Sequence, residues 1–129
     1  TFVCPTEIQG FAKKQKEFDE LDTAILAAST DSVYSHKAWF ERDLNEVTFP
    51  ILADTAHTLT RDYEVLNDRT DEAKRGTFVI DPEGKLRYVV ISDSNVGRSV
   101  EETLRVVKAL QTGGLCPVDW TPGDPNLKG

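Results

Sequence analysis

Two runs rich in β-branched and aromatic residues, Gly76-Thr77-Phe78-Val79-Ile80 and Leu86-Arg87-Tyr88-Val89-Val90-Ile91, are separated by Asp81-Pro82-Glu83-Gly84. The separating residues are turn formers at hairpin length, so the two runs are predicted to pair antiparallel. Before this hairpin, helical and extended patterns alternate. Ile8, Phe11, Ala12, Gln15 and Phe18 recur near helical spacing, with Lys13, Lys14, Lys16 and Glu17 between them. They predict one helix over residues 5–20. Pro5 at the first helical position then sets Cys4 at or next to the N-cap.

Ala24-Ile25-Leu26-Ala27-Ala28-Ser29 is a short apolar run between polar flanks and predicts a buried strand. Asp31 or Ser32 caps a second helix carrying Val33, His36, Trp39 or Phe40, and Leu44. Phe49-Pro50-Ile51-Leu52 predicts a short strand with a proline at its start, residues 56–63 a weaker helix, and polar residues 67–74 a loop. After the hairpin, Ser99 with Glu102 forms a capping-box pattern. The helix it opens places Val100, Leu104, Val107 and Leu110 on one face and stops at Gly113-Gly114. The remainder carries Pro117, Pro122 and Pro125 and predicts an ordered arm. Alternating strands and helices followed by an antiparallel hairpin predict an α/β fold with a central mixed sheet flanked by helices. A thioredoxin-like arrangement has this order.

At 129 residues the chain fits one domain, with no internal repeat or linker. Acidic residues outnumber basic ones 22 to 15, a net charge of −7, which argues against a partner such as nucleic acid. No apolar run approaches the roughly 18 residues of a membrane span, and no targeting segment is visible. These features together predict a cytoplasmic protein without nucleic-acid or membrane partners. The chain contains no Met and begins Thr1-Phe2-Val3-Cys4-Pro5, which reads like the middle of a longer sequence.

The two cysteines, Cys4 and Cys116, carry most of the chemical information. A thiol is a nucleophile only as its thiolate, and unpaired N–H groups at a helix N-terminus favour the thiolate. Cys4 is therefore a candidate reactive thiol; the alternative is a small buried hydrophobe. The absence of a C-x-x-C pair excludes a thioredoxin dithiol. Cys116 reads either as an incidental surface thiol or as a second thiol that reaches a first, on this chain or another. Cys4, His36, His57 and Cys116 do not stand at a spacing used by zinc sites, so no metal is expected.

Thr1-Phe2-Val3-Cys4-Pro5-Thr6-Glu7 resembles the peroxidatic signature of the peroxiredoxins, T-x-x-C followed by P-T-E. The resemblance continues through Ser35-His36-Lys37-Ala38-Trp39, Arg75-Gly76-Thr77-Phe78-Val79-Ile80-Asp81-Pro82-Glu83-Gly84, and Val96-Gly97-Arg98-Ser99. It ends at Leu115-Cys116-Pro117-Val118-Asp119-Trp120 and Pro122-Gly123-Asp124. The blocks cover nearly the whole chain in order. Together they resemble the typical two-cysteine group, most of all the bacterial alkyl hydroperoxide reductase C type.

The resemblance implies a thiol peroxidase acting on hydrogen peroxide and organic hydroperoxides, with no cofactor. Cys4 would be the peroxidatic cysteine and pass through a sulfenic acid. Thr1 would hydrogen-bond the peroxide or thiolate, and Arg75 would stabilise the charge moving from sulfur to the leaving oxygen. Glu7 and Arg98 would form a network holding that arginine, and Trp39 would pack around the pocket. Cys116 would resolve the sulfenic acid as an intersubunit disulfide, recycled by a flavoprotein reductase or a thioredoxin-like reductant. A homodimer assembling into a ring decamer is expected. The domain reading is a peroxidase domain over residues 1–112, lacking its N-terminal strands, and an arm over 113–129 carrying Cys116. No Gly-Gly-Leu-Gly insertion precedes Arg75 and no Tyr-Phe helix follows the arm, which by resemblance implies resistance to overoxidation. Alternative functions for the same residues are a peroxide-sensing relay, a holdase chaperone and an inert thioredoxin-like binding module.

Overall fold

The computed structural model describes residues 3–129. Its elements run α1 (Val3–Lys13), α2 (Gln15–Glu20), β1 (Ala27–Ser29), α3 (Val33–Arg42), β2 (Ile51–Ala53), α4 (Thr58–Asp62), β3 (Leu66–Asn67), β4 (Glu72–Ala73), β5 (Arg75–Ile80), β6 (Leu86–Ser92) and α5 (Val100–Gln111). The helix expected over 5–20 is thus two helices. Lys14 leaves the helical region at φ −102° and ψ 4°, and α2 restarts with the Glu17 and Phe18 amides bonding to the Lys14 carbonyl. The break lets Phe18 turn inward, where it stacks on Phe11 at 5.9 Å and is almost fully buried.

Backbone pairing forms three two-stranded ladders among the described residues. β1 and β2 pair parallel, with Ala28 opposite Leu52; this link between distant segments requires the α3 crossover. β5 and β6 form the predicted hairpin, with Arg75 opposite Ser92 and a register shift between Val79 and Ile80. Its turn is tied by Asp81: the Asp81 carboxylate accepts from the Glu83 and Lys85 amides, each at 2.9 Å, while Gly84 takes φ +84°. The segment read as a loop contains the small antiparallel pair β3–β4, because the Lys74 amide bonds back to the Val65 carbonyl at 2.7 Å. The strand expected to be buried is shorter than its apolar run and open on one side, with Leu26 61% exposed.

Two apolar clusters fill the interior. Ile8, Leu44, Val47 and Phe49 form one, with Cys4, Trp39, Phe40 and Ile51 packed against it. Phe18, Leu104 and Val107 form the other, with Val79 and Val100 beside them. Phe11 and Ile25 touch both clusters. Helix α5 approaches α1 closely at Gly10, where an added Cβ would stand 3.3 Å from Val100. Ser99 caps α5 by accepting from the Glu102 amide, as predicted, but the reciprocal half of the capping box is not made. Glu102 turns instead to Arg105, with two contacts of 2.6 Å. The buried stripe of α5 is also rotated from the expected face: Thr103 and Val106 are buried, whereas Leu110 is 40% exposed. Beyond α5, Gly113 takes φ +71° and the arm folds back, so that Leu115 and Leu127 form an antiparallel bridge.

Candidate functional site

Cys4 occupies the first turn of α1, half-buried against the cluster that also holds Trp39. One helical turn later, on the same face, stands Glu7. Glu7 is among the few buried charged residues, and its carboxylate is the hub of the site. Oε1 accepts from Arg75 Nη1 and, at 3.0 Å, from Arg98 Nη2. Oε2 accepts from Arg98 Nε and from the Arg98 backbone amide, each at 2.7 Å. A buried carboxylate with this many donors, two of them cationic side chains, is compensated as a buried charge must be.

The two arginines are fixed from behind by backbone carbonyls. Arg75 Nε donates to the Ser94 carbonyl at 2.7 Å, and Arg98 Nη1 donates to the Gly76 carbonyl at 2.8 Å. The hairpin therefore performs two tasks: β5 delivers Arg75 at its first residue, and the next residue offers the carbonyl that orients Arg98. Gly76 is glycine for a steric reason, since a Cβ there would lie 2.8 Å from the Phe78 ring and 3.0 Å from Val65. Neither carbonyl carries a signal in the sequence, because every residue type supplies one; only the Arg75-Gly76 pair beside a strand hints at the arrangement.

The electrostatics follow from this geometry. Burial pushes the Glu7 carboxyl up, but the hydrogen bonds and charge of Arg98, joined by the charge of Arg75, outweigh it and hold the group below its ordinary range. Burial also pushes the Cys4 thiol up. Arg98 pulls it down, Glu7 pushes it up, Arg75 pulls it down, and the balance remains on the raised side. Arg98 and Arg75 thus both favour the Cys4 thiolate against its burial.

Of the residues singled out from the sequence, Cys4, Glu7, Arg75 and Arg98 come together, while Trp39 packs against the apolar cluster that Cys4 also borders. Thr1 lies outside the described residues. Cys116 is separate from this group, in the arm, where its Sγ contacts the Ala109 carbonyl and Thr112 at 3.6 Å. Both cysteines are free thiols. His36, expected on a helix face, is buried, with Nε2 2.6 Å from Ser29 Oγ and its ring 6.0 Å from that of Trp39. Among the described residues, no group of three His, Cys, Asp or Glu side chains could hold a metal ion, and no helix is long and apolar enough to cross a membrane.

Comparison with known proteins places this geometry. Residues 1–89 match the model of the AhpC/TSA family. The chain is 50% identical over 132 residues to a Clostridium pasteurianum protein described as a putative peroxiredoxin in the rubredoxin operon, covering 98% of this chain and 74% of the relative. It is 45% identical to the thioredoxin peroxidase of Trypanosoma brucei rhodesiense, covering 99% of this chain and 69% of the relative. Among solved structures, the reduced 2-Cys peroxiredoxin of Plasmodium vivax superposes with a TM-score of 0.91 at 33% identity, covering 99% of this chain and 70% of that one. A helix-borne cysteine beside a carboxylate that ties down two arginines, on a thioredoxin-like α/β framework shared with such relatives, leads to one assignment: the chain belongs to the AhpC/TSA family and is a two-cysteine peroxiredoxin, a thiol peroxidase.

Proposed function

We propose that the peroxidase reduces hydrogen peroxide and organic hydroperoxides with Cys4 as the attacking thiol. The observation that carries this reading is the Glu7 hub, which aims two guanidinium groups at the end of α1 that bears Cys4. The Cys4 thiolate attacks one oxygen of the O–O bond. That oxygen stays on sulfur as sulfenic acid, and the other leaves with the bonding electrons and takes up a proton as water or alcohol. Negative charge moves along the S–O–O line during this step, and fixed donors beside that line stabilise the transition state more than the ground state. Arg98 and Arg75 also lower the cost of forming the thiolate against the burial that opposes it.

In the second half of the cycle, Cys116 of a partner subunit displaces water from the sulfenic acid and forms a disulfide with Cys4. Disulfide geometry requires Cα atoms within about 7 Å, so the first turn of α1 and the arm must both loosen. A thiol-disulfide reductant, either a flavoprotein reductase or a thioredoxin-like protein, then returns both thiols. The working unit is a homodimer, assembled as a ring decamer, and a cytoplasmic setting suits its small neutral substrates.

The test is a single equivalent of peroxide followed by a non-reducing gel, on wild type, Cys4→Ser and Cys116→Ser. A disulfide-linked dimer is expected in wild type alone. Peroxide consumption that survives Cys4→Ser would overturn the assignment of the nucleophile. A dimer without thiol-driven turnover would replace peroxide removal by peroxide sensing.

A further inference from the structure

Cys116 is held on two sides. Its Sγ–H donates at 3.6 Å to the Ala109 carbonyl, which also accepts from the Thr112 amide at 3.2 Å and the Thr112 hydroxyl at 2.8 Å. Its sulfur accepts from Asn126 Nδ2 at 3.4 Å. The same Nδ2 donates to Thr112 Oγ1 at 3.0 Å, and Thr112 Oγ1 in turn lies 3.6 Å from the sulfur and accepts from the Gly114 amide at 3.3 Å. The Asn126 carboxamide therefore crosses directly over the Gly113–Gly114 turn. A Cβ at Gly114 would stand 2.9 Å from Asn126 Nδ2, so the glycine makes room for it.

The rest of the arm is unequally secured. Trp120 is 4% exposed, its carbonyl accepts from Arg105 Nη1 at 2.8 Å, and its indole N–H donates to the Asp124 carbonyl at 3.1 Å. The end that closes over Cys116 has no comparable anchor. Leu115 and Leu127 are each 56% exposed, and one backbone bond, from the Leu127 amide to the Leu115 carbonyl at 2.7 Å, joins them. Asn126, next to that bond, is the side chain that ties the closing strand of the arm to both Thr112 and Cys116.

We propose that Asn126 is a positioning residue for Cys116, a clasp that must open before Cys116 can be delivered to oxidised Cys4. The proposal rests on the reading of Cys116 as the resolving thiol. The step it gates is Cys4–SOH plus Cys116–SH giving the Cys4–Cys116 disulfide plus water, with peroxide as the oxidant of the preceding step. The closed clasp keeps Cys116 ordered and bonded within its own subunit, and so it prolongs the life of the sulfenic acid. A longer-lived sulfenic acid is exposed to a second peroxide and to sulfinic acid. Asn126 thereby sets the balance between turnover and overoxidation.

The experiment is rapid mixing of the full chain with hydrogen peroxide, for wild type, Asn126→Ala and Asn126→Asp. Quenched samples are read by mass spectrometry for sulfenic acid, disulfide and sulfinic acid. Sulfenic acid formation, first order in peroxide, is expected to be unchanged. Disulfide formation, independent of peroxide concentration, is expected to accelerate about three- to tenfold in both variants, the size of the one hydrogen bond to the Cys116 sulfur among the two that each variant loses. Sulfinic acid at excess peroxide should fall by the same factor, and amide exchange at Leu127 should rise. Asn126→Asp preserves the side-chain shape without the donor, so it carries the test if Asn126→Ala folds poorly. An unchanged or slower disulfide phase in a folded variant overturns the clasp alone. Failure of wild type to form any Cys4–Cys116 disulfide overturns both the clasp and the resolving role beneath it.

Discussion

At the scale of single residues, Glu7 is the position on which the site depends. Its carboxylate offsets two guanidinium groups, one of them as buried as itself. Removing one partner of a buried ionic cluster leaves uncompensated charge, so Glu7→Gln is expected to cost about 3–5 kcal/mol in urea melts at neutral pH. The pH dependence follows from the lowered Glu7 carboxyl. A depressed carboxyl contributes stability above its unfolded value, ordinarily 4.5, and that contribution is lost as pH falls through the folded value. The gap between wild type and Glu7→Gln should therefore narrow in melts below about pH 4. For Cys4 the strongest downward pull comes from Arg98. Arg98→Ala should shift the pH midpoint of Cys4 alkylation upward, and by more than Arg75→Ala does, when iodoacetamide labelling is followed in a Cys116→Ser background. Both substitutions should slow the reaction with peroxide by about two to three powers of ten, the worth of one donor aimed at developing charge. These residues were singled out in the sequence through the Thr1–Glu7, Arg75–Gly84 and Val96–Ser99 blocks. How both arginines share the Glu7 carboxylate was not visible there, because it depends on distances and burial that chain spacing does not encode.

At the scale of elements, the hairpin carries two functions in one strand. Strand β5 supplies Arg75 as a side chain and Gly76 as a carbonyl, and the absence of a Cβ at Gly76 lets Phe78 and Val65 close over it. Gly76→Ala is expected to destabilise the protein by about 1–3 kcal/mol through overpacking. It should also slow the peroxide step, since the Gly76 carbonyl that aligns Arg98 must shift; thermal melts and peroxide kinetics on one sample separate the two effects. The cap of α5 is a simpler case. Ser99→Ala removes the acceptor for the Glu102 amide and should cost about 1 kcal/mol in chemical melts, with the peroxide step unchanged. The α3 cap was narrowed to Asp31 or Ser32, of which the structure uses Ser32. The hairpin and the α5 cap were legible because turn and cap chemistry is local. The division of the first helix was not, because the burial of Phe18 against Leu104 and Val107, more than eighty residues later, competes with a continuous helix and prevails.

At the scale of the whole molecule, the arm is the movable part. It is pinned by Trp120 near its middle and closed lightly at its end. Trp120→Ala removes the anchor, and a buried Trp lost to Ala costs about 3–5 kcal/mol where the surroundings are cooperative. Because the arm folds back after a glycine turn, the expected result is local release: rapid proteolytic trimming after α5, with the main melting transition shifted little. A full-size drop in the main transition would show instead that the arm is integral to the core. The β5–β6 ladder leaves Ile80, Leu86, Val89, Val90 and Ile91 substantially exposed. The mixed order of elements expected from the sequence is present, but its backbone bonds are distributed over three separate ladders.

The sequence by itself determined which residues have chemistry to perform. It also determined local structures that a few neighbouring residues decide: Ser99 as a cap and Asp81 to Gly84 as a turn. These depend on contacts within about one helical turn or one hairpin, which residue type and spacing specify. By contrast, α1 includes Val3 and Cys4 ahead of Pro5, and the choice of Ser32 over Asp31 as the α3 cap came from the structure. Only the tertiary structure decided how those residues act together. Arg75 and Arg98 stand 68 and 91 positions along the chain from the Glu7 carboxylate they share. Their convergence requires α1, β5 and the turn before α5 to pack as one body; burial then raises the Cys4 thiol, while the arginines hold the Glu7 carboxyl below its ordinary range. Asn126 is the plainest example: ten residues from Cys116 and unremarked in the sequence, it reaches the sulfur only because the arm folds back on itself.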